Sequence, residues 1–269
     1  MAATGPIGSP LYTTATLCRR EPIRRDDQMP IYATPAGLML FAHVPKCGGS
    51  GLEDVLTARF GADSVALLDR SHMRRKNRWS RTSPQHLEAS ALIRLMPRAM
   101  LALNVALVRH PATRLRSVYL HQRDIEGTID ADEDFGAWLD ALPARREADP
   151  WYLDNHPRPM REMIPGGSKT FQLERDGVEA ALAWIDAQTG GAGMPTGRRR
   201  HTFSARLRAA GRTAGSKPNL TAKRLALIRE MYPRDYERFR YDTKPPRTDS
   251  AARSEAGLSP LRPARLPPG

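Results

Sequence analysis

The stretch Phe41-Ala42-His43-Val44-Pro45-Lys46-Cys47-Gly48-Gly49-Ser50-Gly51 decides how the rest of the chain is read. An apolar run from Leu38 to Phe41 leads into a proline, a lysine and a turn of small residues, and apolar positions then recur at Leu52, Val55 and Leu56. That order predicts strand, tight loop and helix. Such a loop is an anion cradle: glycine N–H groups and a helix N-terminus point at one spot, with a lysine beside them. A Walker A loop places its lysine after the glycines. Here Lys46 precedes them and Gly51 stands where a Walker lysine would follow. The cradle suits a phosphate-like group other than the terminal phosphate of ATP.

Further along, Val105-Ala106-Leu107-Val108 leads into Arg109-His110-Pro111-Ala112-Thr113-Arg114-Leu115-Arg116-Ser117-Val118-Tyr119. This is a second buried strand, a proline-marked exit and a helix with apolar positions at Leu115, Val118 and Tyr119. Arg109 ends the strand and Ser117 lies two turns into the helix. Ligands of open α/β sheets sit beyond the carboxyl ends of the strands, so both loops can open onto one site.

The two segments together resemble the sulfotransferases that use 3′-phosphoadenosine 5′-phosphosulfate (PAPS), particularly the branch acting on carbohydrates. In that family a Pro-Lys-x-Gly-Gly-Ser/Thr loop holds the 5′-phosphosulfate, and an Arg followed eight residues later by Ser holds the 3′-phosphate. The resemblance implies that Lys46, Cys47, Gly48, Gly49, Ser50 and Gly51 bind the first group and that Arg109 and Ser117 bind the second. Weaker echoes follow at Phe171-Gln172-Leu173-Glu174 and at Met231 to Tyr241, so the likeness runs in order from about residue 38 to 241. Cys47 replaces the more usual Thr and Gly51 a more usual Ser, which removes two hydroxyls and leaves the lysine and the amide groups.

Alternating strands and helices predict an α/β fold, a P-loop-like three-layer sandwich whose central, mostly parallel sheet is flanked by helices. Strands are predicted near 37–44, 65–68, 101–108 and 169–173. Helices are predicted over 49–59, 84–96, 112–124, 134–141, 178–188 and 221–231. The domain is expected over 31–242, between a disordered segment at 1–30 and a disordered Pro/Arg-rich tail at 243–269. The glycine-rich basic loop from Gly190 to Gly215 reads as a mobile cover over the site.

A net charge of +13 draws polyanions and anionic cofactors. Its bases cluster around Arg70 to Arg81 and around Arg198 to Lys217, a group that includes Arg206, whereas the acidic run Asp124 to Asp140 is expected away from the phosphate site. With no run of eighteen apolar residues, no membrane span is expected. No secretory signal is evident, and two cysteines, Cys18 and Cys47, are too few for a disulfide framework. Those features suit a soluble, cytoplasmic, bacterial relative. A metal site is not indicated: no Cys-x-x-Cys spacing and no helical His pair occurs.

Sulfuryl transfer needs charge stabilised on the leaving phosphate and a proton taken from the acceptor hydroxyl. Lys46 fits the first task. For the second, His86 in Ser83-Pro84-Gln85-His86 is the first choice among seven histidines, matching where carbohydrate sulfotransferases carry a His before an Ala-rich helix. His72 in the basic loop is the runner-up base and a substrate-side candidate, with Glu53 or Glu88 behind it. His156, in Asp154-Asn155-His156-Pro157, is expected to position the acceptor, a glycan or glycolipid hydroxyl. The competing readings are an ATP-dependent P-loop kinase, disfavoured by the lysine's place, and a basic nucleic-acid-binding protein. The latter leaves the two anion loops unexplained and has few stacking aromatics, at six per cent.

Overall fold

Ile31-Tyr32-Ala33-Thr34 and Gly37-Leu38-Met39-Leu40-Phe41-Ala42 form an antiparallel hairpin, β1 (Ile31–Thr34) and β2 (Gly37–Ala42), with Ile31 opposite Leu40. Gly37 closes the turn at φ 110, in the left-handed region glycine adopts without penalty. This is a computed structural model, and it describes residues 31–60, 65–66, 81–175, 177–191 and 203–246. The expectations for residues 1–30, for His72 and most of its basic cluster, for Arg198 to Arg200 and for the tail from 247 onward lie outside those residues.

The sheet order is β3-β1-β2-β4-β5, with β3 (Val65–Ala66), β4 (Leu101–Val108) and β5 (Lys169–Gln172). β2 pairs parallel with β4 and β4 with β5, while β1 runs antiparallel to both of its neighbours. Four of the five strands therefore share a direction. Ala42 lies opposite Ala106, so the chain leaves β2 and β4 side by side at the same edge of the sheet. That register places the two anion loops next to each other.

Side chains alternate across the sheet. Met39 and Phe41 pack with Leu52, Val55 and Leu56 of α1 (Gly49–Phe60) and with Leu182 and Ile185 of α6 (Gly177–Thr189). Leu40 and Ile31 belong to a separate cluster with Leu87 and with Leu92 of α2 (Ala89–Leu95). A third core is all helical: Leu115, Val118 and Tyr119 of α3 (Pro111–His121) meet Phe135, Trp138 and Leu139 of α4 (Phe135–Ala148). Ile228 of α8 (Ala222–Met231) and Tyr236 of α9 (Pro233–Arg238) complete it.

Four local expectations are corrected. The helix expected over 84–96 is a single 3-10 turn, Pro84–His86, then an extended Leu87 and Glu88, then α2. The His86 carbonyl is taken by the Asn155 side chain at 2.9 Å instead of by a helical N–H. α4 continues past 141 to Ala148 through Pro143, because Leu139 and Leu142 are buried and Arg145 is held by Glu133. α3 passes into a π-helical turn, Gln122–Glu126, which Gly127 closes in the left-handed region at φ 67. The basic loop of 190–215 contains a helix, α7 (Phe203–Ala209).

Candidate functional site

The cradle loop turns at Lys46, whose φ of 65 is left-handed and therefore strained for a residue with a Cβ, and turns again at Gly48, φ 85. The first-turn N–H groups of α1, on Gly49, Ser50 and Gly51, have no partner within the helix. Two glycines are required by contact. A Cβ on Gly48 would lie 2.9 Å from Leu173 Cδ1, and one on Gly49 would lie 2.8 Å from the His43 ring. Gly51 has open space around it. Cys47 departs from the expectation that it helps hold the anion: its side chain is buried with Sγ 3.9 Å from Met160 Sδ, and its N–H donates to the Val44 carbonyl at 3.3 Å. Burial pushes its thiol up to about 12, so it stays neutral.

Lys46 is half-buried, and among the described residues its ammonium has no hydrogen-bond or ion-pair partner. Burial, then the cations of Arg206 and Arg109, lower its pKa to about 7. Arg109 is tied to the same loop, donating from Nη1 to the Lys46 carbonyl at 3.2 Å and from Nε to Thr113 Oγ1 at 3.2 Å. Ser117 lies one turn beyond Thr113 on the same face of α3, half-buried and with no partner for its hydroxyl among the described residues. Burial, then Arg109, lowers the pKa of Arg116, and Arg116, then burial and Arg109, lower that of Lys217. The two weaker sequence echoes meet here as well. Glu174, just past β5, accepts from the His110 N–H at 2.8 Å and from the Tyr241 hydroxyl at 3.1 Å.

The acidic run does not stay away from the cradle. The π-helical turn brings Glu126 back to His121, 3.2 Å away, and within electrostatic reach of Lys46 and Arg206. Arg114 was not singled out by the sequence, yet its buried guanidinium joins three carbonyls. Nε donates to Pro45 at 3.1 Å, and Nη2 donates to His156 at 2.7 Å and Arg158 at 2.8 Å. It thereby fastens the cradle loop to the loop that carries Asp154.

That second loop meets His86 and Ser83. Leu153, Asp154 and Asn155 are consecutive left-handed residues, φ 53, 54 and 63, a conformation Asp and Asn tolerate best. The turn presents the Asp154 carboxylate to His86 Nδ1 at 2.7 Å, to the Ser83 N–H at 2.6 Å and to the Ser83 hydroxyl at 2.7 Å. Burial opposes the Asp154 charge, but the His86 and Ser83 bonds outweigh it and hold the carboxyl well below the usual range. A carboxylate at Nδ1 requires the proton there, which leaves the Nε2 lone pair of His86 to accept one.

Around it stand three more imidazoles. His43 meets the His86 ring edge-on at 5.5 Å and donates from Nδ1 to Glu53 at 2.7 Å, so Glu53, also bonded to Gln85, is already engaged. His156 is buried between His86, 4.8 Å away, and His121, stacked at 5.6 Å. Burial, with those neighbours, keeps it well below the ordinary imidazole range, and its Nδ1 donates to the Leu153 carbonyl at 2.8 Å. Glu88 pairs with Arg158. His86, Asp154 and His156 offer ligand atoms within 4.8 Å of one another, spacing a metal could span, yet the Asp154 oxygens are committed to His86 and Ser83.

A left-handed lysine turn before a helix N-terminus, an arginine from the neighbouring strand end and a carboxylate-oriented histidine are therefore gathered at one end of the sheet. A model of the sulfotransferase family matches residues 30–242, and the chain belongs to that family. It is an enzyme of sulfuryl transfer. No curated protein and no solved structure matches it. Among the described residues no helix is long and apolar enough to cross a membrane.

Proposed function

We propose that the enzyme takes its sulfuryl group from PAPS held in the Lys46 cradle and delivers it to a hydroxyl of a glycan or glycolipid. The observation that carries this reading is the Lys46 ammonium, half-buried without an acidic partner among the described residues, on the turn that leads into α1 and joined through its own carbonyl to Arg109. Bound PAPS supplies an already activated sulfuryl group on a phosphate leaving group. Lys46 and the amides of Gly48 to Gly51 hold that end and offset the charge that grows on the leaving oxygen. Arg109, with its forked donors, and the Ser117 hydroxyl hold the 3′-phosphate. His86 Nε2 accepts the acceptor proton, and Asp154 keeps the ring in the tautomer that can do so. His156 lines the acceptor side. The reading carries a cytoplasmic setting, which suits the free, buried thiol of Cys47.

The test is calorimetric binding of PAP, the desulfated product, alongside adenosine 5′-phosphosulfate, which lacks the 3′-phosphate. Arg109→Ala and Ser117→Ala are expected to weaken PAP binding and leave the second ligand unaffected, while Lys46→Ala weakens both and stops transfer of label from PAPS to a glycan mixture. Equal losses of both ligands in the Arg109 variant would show general disruption and sink the assignment.

A further inference from the structure

Arg206 stands apart from the recognisable motifs. It lies 156 residues beyond Ser50, on α7, yet its Nη2 donates to Ser50 Oγ at 3.1 Å. Among the described residues it makes no ion pair, although Glu126 is within electrostatic reach. Its carrier is anchored. Leu207 is buried, the helix ends on Gly211 at φ 64 with the Arg212 N–H donating to the Leu207 carbonyl, and Arg212 packs over Gly127 of the π-helical turn. A guanidinium held half-buried beside a second cation, with only a neutral hydroxyl as partner, is costly unless an anion completes it.

The geometry points to Arg206 as a ligand of the 5′-phosphosulfate, reaching the cradle at Ser50. The inference rests on the PAPS reading above and adds to it a residue that neither loop motif contains. Its planar fork can give two parallel hydrogen bonds to one anionic group, a contact the single ammonium of Lys46 cannot duplicate. After burial, it is the largest influence against the Lys46 proton, because the two cations repel while the site is open. The groups facing Lys46 are Arg206 from α7, Arg109 from the end of β4, Glu126 from the π-helical turn, the neutral Cys47 thiol, His121 at the end of α3 and the buried His156, whose imidazoles are both held below their ordinary range. Arg206 is the strongest cation among them.

Calorimetric titration with PAPS in the absence of acceptor, repeated from pH 6.5 to 8.5, tests this with two independent readouts. Arg206→Gln is expected to weaken PAPS binding at pH 7 by about tenfold, as loss of a charge-assisted hydrogen bond does. It is also expected to move the midpoint of the pH dependence upward, since Lys46 then loses its main repelling neighbour. Arg206→Lys restores part of the affinity, and Arg208→Gln, on the exposed face of the same helix, matches wild type. Wild-type affinity in Arg206→Gln with an unmoved midpoint overturns the proposal while leaving the PAPS reading intact. Absence of PAPS binding to wild type overturns both.

Discussion

Raising the pH from 7 to 8.5 is expected to strip the cradle of its charge. Lys46 titrates at about 7 because burial, Arg206 and Arg109 all oppose its proton. If only the ammonium binds PAP, the competent fraction falls from about one half at pH 7 to about 3% at pH 8.5, an affinity loss of about fifteenfold. Over that range each of the ligand's phosphates, with a second pKa near 6, loses only about a tenth of a proton, so most of the change belongs to the protein. Binding drives the lysine's pKa back up, so PAP takes up about half a proton per site at pH 7. Calorimetry in two buffers of different ionisation enthalpy measures that uptake directly. Lys46→Arg, charged throughout, should bind with no pH dependence, and Lys46→Met weakly with none. A flat wild-type profile with no proton uptake would mean that the lysine is charged in the open site, and the account of its surroundings would fail.

The same depressed pKa has a stability counterpart. The unfolded chain, whose lysine titrates near 10.4, holds more protons than the native one between pH 7 and about 10, so the ligand-free enzyme gains stability as pH rises through that window. Lys46→Met should raise the ligand-free Tm at pH 7; a lowered Tm would show the ammonium to be stabilising. Gly49→Ala places a methyl against a His43 ring that Glu53 pins at 2.7 Å, with an expected cost of about 1–3 kcal/mol in denaturant melts. An unchanged melt would mean that the ring has room to turn. Asp154→Asn should lower kcat by about 10²–10⁴-fold with PAP affinity preserved, since the amide can present a donor to Nδ1 and stabilise the wrong tautomer. If turnover survives, the proton goes elsewhere than His86.

The cradle was legible because its geometry is encoded in contiguous residues: an apolar run, a proline, a lysine, two glycines and a helix. Arg109 and Ser117 were legible for the same reason, and β2 and β4 fall where hydrophobic runs place them. β1 was missed because four residues beside a Pro-Ala-Gly turn carry little periodicity. Asp154 was harder, since it reaches His86 across 68 residues. The one local hint was an Asp-Asn pair, the side chains that accept left-handed backbone. Glu126 could not be placed at the cradle from composition, because its approach to His121 depends on a π-helical turn that carries no signal in the sequence. Arg206 sat in a basic cluster whose charge was visible and whose reach to Ser50 was not.

Arg114 gives the enzyme a fixed gauge. One end of its guanidinium grips the Pro45 carbonyl beside Lys46, and the other grips the loop that presents Asp154 to His86. The span between the two platforms is therefore set by the bond lengths of a single side chain, where two independent loops would have left it to vary. Neither platform can yield to a bulky acceptor without dragging the other. On the proposed reading the donor side and the acceptor side are thus coupled through one side chain, and room for a larger acceptor has to come from residues other than these two loops.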